Sequence, residues 1–375
     1  MKLIYLTSLF YPSTVANNRQ TLSMAKELSD LLGRDFTFVI SHTRNRNLLE
    51  GINYYEMKVN VLRKLHLVSS YYFLWLPLFA LKLRGESTVF YFKDSILASI
   101  AIFWRKLLRF NYKIAFEPHL IYSSWHDSHI FKNADFILPI THGLRNIIIQ
   151  KFKIPENKIL VVPDGVDLKL FDIPEEKERY RKELNLPADK KIIGYVGTFS
   201  TMGFGKGVKD LILAFAAVKK ERKDVFLTLA GGRGETGLYI KFAVDSGLVG
   251  GEDFIIEKYI DYPLVPKYLK SCDILVSPFP LTKHFAYYMS PLKIFEYMAS
   301  KRPIITSDLP SIREVITEKE AVFFEPGNIK ELSEKIALVL NNLGGYRPLL
   351  AEAAFEKVKN YTWHSRAKNI LEFMK

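Results

Sequence analysis

Gly194-Tyr195-Val196-Gly197-Thr198-Phe199-Ser200-Thr201-Met202-Gly203-Phe204-Gly205-Lys206-Gly207 is the stretch on which the reading of this chain turns. Before it, Ile192–Val196 is a short apolar run of strand character. After it, Val208, Leu211, Ile212 and Phe215 recur at spacings of three, four and seven, the spacing of a helix with one buried face. A glycine-rich turn between strand and helix lets the backbone approach a phosphate, and the free N–H groups of the helix start point at it. Lys206 adds a full positive charge. No Gly-Lys-Ser/Thr follows, so this is not a Walker loop. No G-x-G-x-x-G sits at the first strand, so it is not a dinucleotide fingerprint either.

The same strand–helix alternation runs outward in both directions. The first half holds apolar runs at Leu3–Thr7, Phe36–Ile40, Val89–Phe92, Lys113–Phe116, Phe136–Ile140 and Ile159–Val162. The second half holds Ile192–Val196, Val225–Ala230, Phe254–Glu257, Ile274–Ser277, Pro303–Thr306 and Ala321–Phe324. Rich in Val, Ile and Phe and not strictly alternating, they read as parallel strands covered on both faces. Repeated β-α units predict doubly wound α/β sheets with right-handed crossovers. Residues 1–166 form one expected Rossmann-like domain and 167–360 a second. The strand-free, charge-rich stretch Asp167–Lys191 is read as the linker region. The final segment, 361–375, is helical and expected to pack back onto the first domain.

Further along, Ser290-Pro291-Leu292-Lys293-Ile294-Phe295-Glu296-Tyr297-Met298-Ala299 opens another helix. Ser290 reads as its N-cap and Pro291 as its first residue. The amides of Leu292 and Lys293 would then be unpaired and form an anion site with the Lys293 charge. Glu296, one turn on, is placed to accept hydrogen bonds from ribose hydroxyls. Phe116-Glu117-Pro118-His119 ends a strand, where open α/β sheets bind ligands, so His119 is expected to face a cleft.

Together with Val162-Pro163-Asp164-Gly165-Val166-Asp167, Pro303–Pro310 and Tyr361-Thr362-Trp363, these pieces resemble glycosyltransferase family 4, the group 1 glycosyltransferases of GT-B fold. The resemblance is strong over residues 160–375 and weaker before. It implies two Rossmann-like domains facing across a cleft. It also implies transfer of a sugar from a nucleotide-sugar donor, with retention, to a glycan or lipid-linked acceptor. Lys206 matches the lysine that holds the donor diphosphate, and Gly197 and Thr198 fall in the donor loop. Glu296 matches the second Glu of the E-x7-E motif. Leu292 and Lys293 match positions whose amides meet the diphosphate. His119 resembles the cleft histidine near the transferred sugar. Ser13, Asn17 and Asn18 lie in the loop that approaches donor and acceptor. Three departures stand out: Thr198 replaces an arginine, Tyr288 stands at the first Glu of the motif, and Asn17-Asn18 replace a glycine pair. The aromatic wall His284–Tyr288 suggests a less polar donor, such as a deoxy- or N-acetyl sugar.

No Asp-x-Asp pair occurs, and Lys206, Lys293 and a helix N-terminus can supply the positive charge a departing diphosphate needs. The expectation is therefore no metal and no cofactor, with the nucleotide sugar as a substrate. One cysteine, Cys272, excludes an intramolecular disulfide and fits a reducing, cytoplasmic compartment. No segment reads as a signal peptide. The longest uncharged run, Leu67–Leu81, is too short to span a membrane and contains Pro77; it reads as a buried helix. Net charge is +13; residues 1–165 hold 21 basic against 12 acidic side chains. This basic front half, with Trp104–Phe110 and Arg63, Lys64, Lys82 and Arg84, suits the anionic inner face of a membrane. Nucleic acid is not expected, since no helix-turn-helix, zinc-finger or RNP-like signature is present. A non-enzymatic nucleic-acid binder and a catalytically weak nucleotide-sugar-binding partner subunit stay open as alternatives, as do a sugar phosphorylase and an epimerase.

Overall fold

The Val-, Ile- and Phe-rich runs form two six-stranded parallel sheets, one in each of two units of the chain. The computed structural model describes residues 1–8, 10–11, 16–57, 59, 68–122, 125–201 and 203–375. The first unit is Met1–Asp164 with Trp363–Lys375, and the second is Gly165–Thr362.

The first sheet contains β1 (Lys2–Leu6), β2 (Phe36–Ile40), β3 (Tyr54–Glu56), β4 (Thr88–Phe92), β5 (Lys113–Phe116) and β6 (Phe136–Ile137). Their order is β3-β2-β1-β4-β5-β6. The second contains β7 (Lys191–Val196), β8 (Val225–Gly232), β9 (Phe254–Lys258), β10 (Ile274–Ser277), β11 (Ile304–Ser307) and β12 (Val322–Phe324), in the order β9-β8-β7-β10-β11-β12. The two orders are the same. In each, the chain runs outward from its first strand and then crosses back, so a switch point lies between β1 and β4 and another between β7 and β10. Ligand crevices open at such points, beyond the carboxyl ends of the strands.

Both faces of the second sheet are covered. Ile192, Val196, Leu275 and Ile304 enter one buried cluster. Ile193, Tyr195, Ile274, Val276 and Ile305 enter the other. This is why its strands read as continuous apolar runs. Gly194 is set by close approach: a Cβ there would lie 2.2 Å from the Sγ of buried Cys272.

Three expectations change. Ile159–Val162 is not a strand; Leu160 N–H donates to Ile137 O and Val162 N–H to Pro139 O, but no continuous ladder forms. The flanking Pro139 and Pro163 lack the N–H groups that a ladder needs. The edge strand β3 was not expected. The stretch 167–191 is no free linker: it folds as helices Leu168–Phe171 and Lys177–Glu183 on the second unit. Arg181 there is buried, with its guanidinium 2.6 Å from Asp273 Oδ2. The helix Trp363–Phe373 belongs to the first unit, where it packs on the helix Ala16–Leu32.

Candidate functional site

In the second unit, three chain segments meet at the β7/β10 switch point. Gly197 follows β7 with φ +140°, a conformation essentially reserved for glycine. A Cβ on Gly231, near the end of β8, would lie 2.6 Å from Gly197 O. A Cβ on Gly207, at the start of the helix Val208–Glu221, would lie 1.6 Å from Pro278 O. Only bare backbone fits these contacts. Tyr297, from the helix Leu292–Ala299, ties that helix to the end of β7: its hydroxyl accepts from Val196 N–H at 3.0 Å.

Lys293 projects from this helix under the Gly197 turn. It is 7% exposed, and its Nζ has no hydrogen-bond partner. The ammonium lies 3.4 Å from the centroid of the Tyr195 ring and 5.0 Å from that of Phe279. A Cβ on Gly197 would come within 3.0 Å of Lys293 Cε. Burial, and then the charge of Lys206, push the Lys293 ammonium well below the ordinary lysine range; Glu296 works against them. Lys206 Nζ donates to Thr198 Oγ1 at 2.7 Å. His284 is also near: burial, and then Lys206, lower its pKa, and its Nδ1 is buried without a partner. Two lysines, one of them buried and unneutralised, sit at a helix start and a glycine turn. Such a site attracts a polyanion.

The first unit has its own charged cluster at the carboxyl edge of its sheet. Lys93 follows β4 and Glu117 follows β5. Glu117 is fully buried. Its Oε1 lies 2.8 Å from His119 Nε2 and 3.4 Å from Lys93 Nζ; its Oε2 lies 2.9 Å from Arg366. The Tyr91 hydroxyl donates to the same carboxylate. Burial alone would raise the Glu117 carboxyl. Arg366, Lys93 and the His119 hydrogen bond overcome it and hold the group well below the usual carboxylate range. Gln20 joins the cluster, donating to Asp164 and accepting from Lys93 Nζ at 2.6 Å.

Residues 176–356 match the family model described as Glycosyl transferases group 1. Over these residues, just under half of its length, the chain carries a group 1 glycosyltransferase domain. An uncharacterized glycosyltransferase of Methanocaldococcus jannaschii is 24% identical over 64% of this chain and 59% of its own length. A processive diacylglycerol alpha-glucosyltransferase of Acholeplasma laidlawii is 23% identical over 69% of this chain and 68% of its own. A solved Anabaena protein, HepE, in complex with UDP and glucose, is 16% identical with a TM-score of 0.74 over 100% of this chain and 99% of that one. The chain therefore spans about three fifths of the M. jannaschii relative, and the architecture is that of GT-B glycosyltransferases.

Within this domain, Gly197, Thr198, Lys206, Lys293 and Glu296 come together at the second switch point. Glu296 is half-buried on the helix that carries Lys293. Ser290 is not the helix cap. Pro291, at φ −82° and ψ 85°, is the capping residue, no side chain caps the helix, and Leu292 is the first helical residue. Proline's fixed φ suits this position, but its ψ is not helical. The Leu292 amide is not unpaired either: it donates to Ser290 O at 3.0 Å. Tyr288 ends a five-residue π-helical turn, His284–Tyr288, and is 8% exposed. His119 belongs to the first unit. Asn17 and buried Asn18 lie in the first turn of the helix Ala16–Leu32. Ser13 lies outside the described residues.

Sequence reading missed Lys93 and Arg366 as site residues. Lys93 was within reach, because it ends a strand in the same way as the segment of His119. Arg366 gave no signal: the carbonyl that its Nε meets, Val162 O, is 204 residues away.

Proposed function

We propose that this chain is a retaining, metal-independent transferase. It moves a sugar from a nucleoside-diphosphate donor to a glycan or lipid-linked acceptor in cell-surface glycan synthesis. One observation carries the reading: the buried Lys293 ammonium without a hydrogen-bond partner beside Lys206. A cation held this way is stabilised by an arriving diphosphate, and more so as the diphosphate gains charge on leaving. The bond from the anomeric carbon to the phosphate oxygen breaks, and its electrons stay on the diphosphate. The acceptor oxygen bonds to that carbon from the same face and passes its proton to the departing oxygen. The lysines take the place of a metal in this scheme. Among the described residues, no three His, Cys, Asp or Glu side chains gather to hold a metal ion. UDP in the Anabaena structure and diacylglycerol in the A. laidlawii name support the substrate classes.

The lipid-linked acceptor draws support from the first unit. No described helix is long and apolar enough to cross a membrane. The helix Val68–Lys82, expected to be buried, exposes Leu74 (67%), Leu78 (63%) and Leu81 along one side. It packs on the helix Ser95–Leu107 through Phe73 and Phe103, which itself exposes Phe103 and Leu107. Lys82, Arg84, Lys106 and Arg109 lie at the ends of these helices. Trp104 and Arg105 face inward instead, bonding Phe73 O and Asp135. Arg63 and Lys64 lie outside the described residues. An apolar ridge with a basic rim suits the cytoplasmic, anionic face of a bilayer.

The test is release of free nucleoside diphosphate from UDP-, GDP- and ADP-sugars, with and without EDTA, with glycan and lipid acceptors. The product's anomeric configuration is read by NMR. Release unaffected by EDTA, with a retained product, is the expected result. No release and no thermal stabilisation by any donor would overturn the assignment in favour of a non-catalytic subunit.

A further inference from the structure

A histidine has two ring nitrogens, and the one that carries the proton decides whether the other accepts a hydrogen bond. For His119 that decision falls to Glu117. Its Oε1 lies 2.8 Å from Nε2, and a carboxylate only accepts. The neutral ring then keeps its proton on Nε2, and Nδ1 becomes an acceptor. About 31% of the His119 side chain is open, whereas Glu117 is wholly enclosed.

A carboxylate so enclosed needs neighbours to stay ionised. Arg366 supplies the nearest full charge on Oε2, at 2.9 Å. Its guanidinium is fixed from the other side, where Nε donates to Pro163 O at 2.9 Å and Val162 O at 3.3 Å. Lys93 stands 3.4 Å from Oε1. Asp164 is the other charge facing the histidine, and Gln20 links it to Lys93. Arg366 is itself brought here by the helix Trp363–Phe373, after the chain has built the whole second unit. A buried ion pair of this kind is often no more stabilising than apolar residues of the same volume. Stability alone therefore does not account for it.

We propose that Arg366, acting through Glu117, fixes His119 as the Nε2–H tautomer, so that Nδ1 accepts a hydrogen bond from a hydroxyl of a bound sugar. Arg366 and Glu117 are positioning residues; His119 is the group that touches substrate. The inference rests on the reading of His119 as a sugar-facing residue. It makes the returning C-terminal helix part of the site, where closing the first unit would otherwise be its only task.

The experiment uses the full chain with 15N-labelled histidine, the His119 signals being assigned by their loss in His119→Ala. In the unsubstituted protein at alkaline pH, Nε2 should carry the shift of a protonated nitrogen and Nδ1 that of a bare one. Glu117→Leu and Arg366→Met should mix the tautomers and lower kcat/KM about tenfold or more, the scale of one hydrogen bond to a charged group. Arg366→Lys should restore much of both. If Arg366→Met fails to fold, Glu117→Gln/Arg366→Met removes both charges together and should also mix the tautomers. Unchanged His119 nitrogen shifts in these variants would overturn the positioning role, even if activity fell. Normal kcat/KM in His119→Ala would overturn the sugar contact, while leaving the tautomer result to stand or fall by itself.

Discussion

The ammonium of Lys293 stands 3.4 Å from the centroid of the Tyr195 ring, with no hydrogen-bond acceptor. An aromatic face returns about 0.5–2 kcal/mol to a cation. Leaving a charge buried without a partner costs several kcal/mol. The cost exceeds the return, so the free protein holds this side chain at a loss that an arriving anion offsets.

The first prediction follows from that balance. Lys293→Met keeps the length and removes the charge. It should stabilise the free protein by about 1–3 kcal/mol at pH 7 and weaken binding of nucleoside diphosphate. The sign of the pH dependence is fixed. The native ammonium titrates below the unfolded one, so in the window below the ordinary lysine value the unfolded chain holds more protons. Native stability therefore gains as pH rises through that window, and the advantage of Lys293→Met should shrink toward alkaline pH. Thermal melts across pH 6–10 with and without UDP measure both effects. A variant less stable than the parent throughout, with unchanged UDP affinity, would show Lys293 to be an ordinary packing residue.

Lys206 is held differently. Its Nζ is half-buried on Thr198 Oγ1 at 2.7 Å, where the family usually places an arginine. A lysine that meets charge growing in the transition state lowers the barrier more than it tightens ground-state binding. Lys206→Ala should cut turnover about a hundredfold or more, on the scale of one lost electrostatic stabiliser, while the melting temperature barely moves. Near-normal kcat would remove Lys206 from the site.

The sheets were legible because their strands are buried on both faces: Ile192–Val196 and Ile274–Ser277 leave no room for alternation. The strand Tyr54–Glu56 escaped notice because it is a short edge strand, with Tyr55 exposed. Gly197 and Lys206 were legible because they lie on a strand-to-helix turn, and Lys293 because it opens a helix; in both places the chemistry is local. The cap at Ser290 was misread because Pro291 fits two positions, and only its ψ separates them. Arg366, Lys93 and Gln20 meet only through the tertiary fold, so spacing along the chain carries no record of their cluster.

Leu74 and Leu78 test the membrane reading. A single exposed leucine is ordinary, but two of them a helical turn apart, on a helix whose Phe73 packs on exposed Phe103, form a ridge. Each basic residue near an anionic surface adds on the order of 1 kcal/mol, and salt screens it. The protein should float with phosphatidylglycerol-containing liposomes at low salt and release at high salt. Leu74→Ser/Leu78→Ser should stop flotation without changing nucleoside-diphosphate binding. If the protein ignores anionic liposomes at low salt, this face is a solvated one.

The last prediction concerns Tyr288, where the family usually has a glutamate. It closes the π-helical turn that begins at His284, and Lys283 Nζ lies 5.7 Å from the centre of its ring. Phe285 and Ala286 before it are buried. A carboxylate at this point accepts hydrogen bonds from sugar hydroxyls; a phenol accepts one at most and presents apolar area in its place. Its small exposure, 8%, leaves only an edge of the side chain for a ligand, so any effect on the donor should be one of selectivity. Donors with a deoxy or N-acetyl group should therefore be preferred to plain glucose. Tyr288→Glu should shift the ranking toward hydroxyl-rich donors, with Lys283 near enough to neutralise the new charge. Tyr288→Phe isolates the hydroxyl and should leave the fold intact. The comparison is kcat/KM for paired donors that differ at one substituent. If the ranking in Tyr288→Glu matches the parent while the variant remains folded, Tyr288 only packs, and donor choice is made elsewhere.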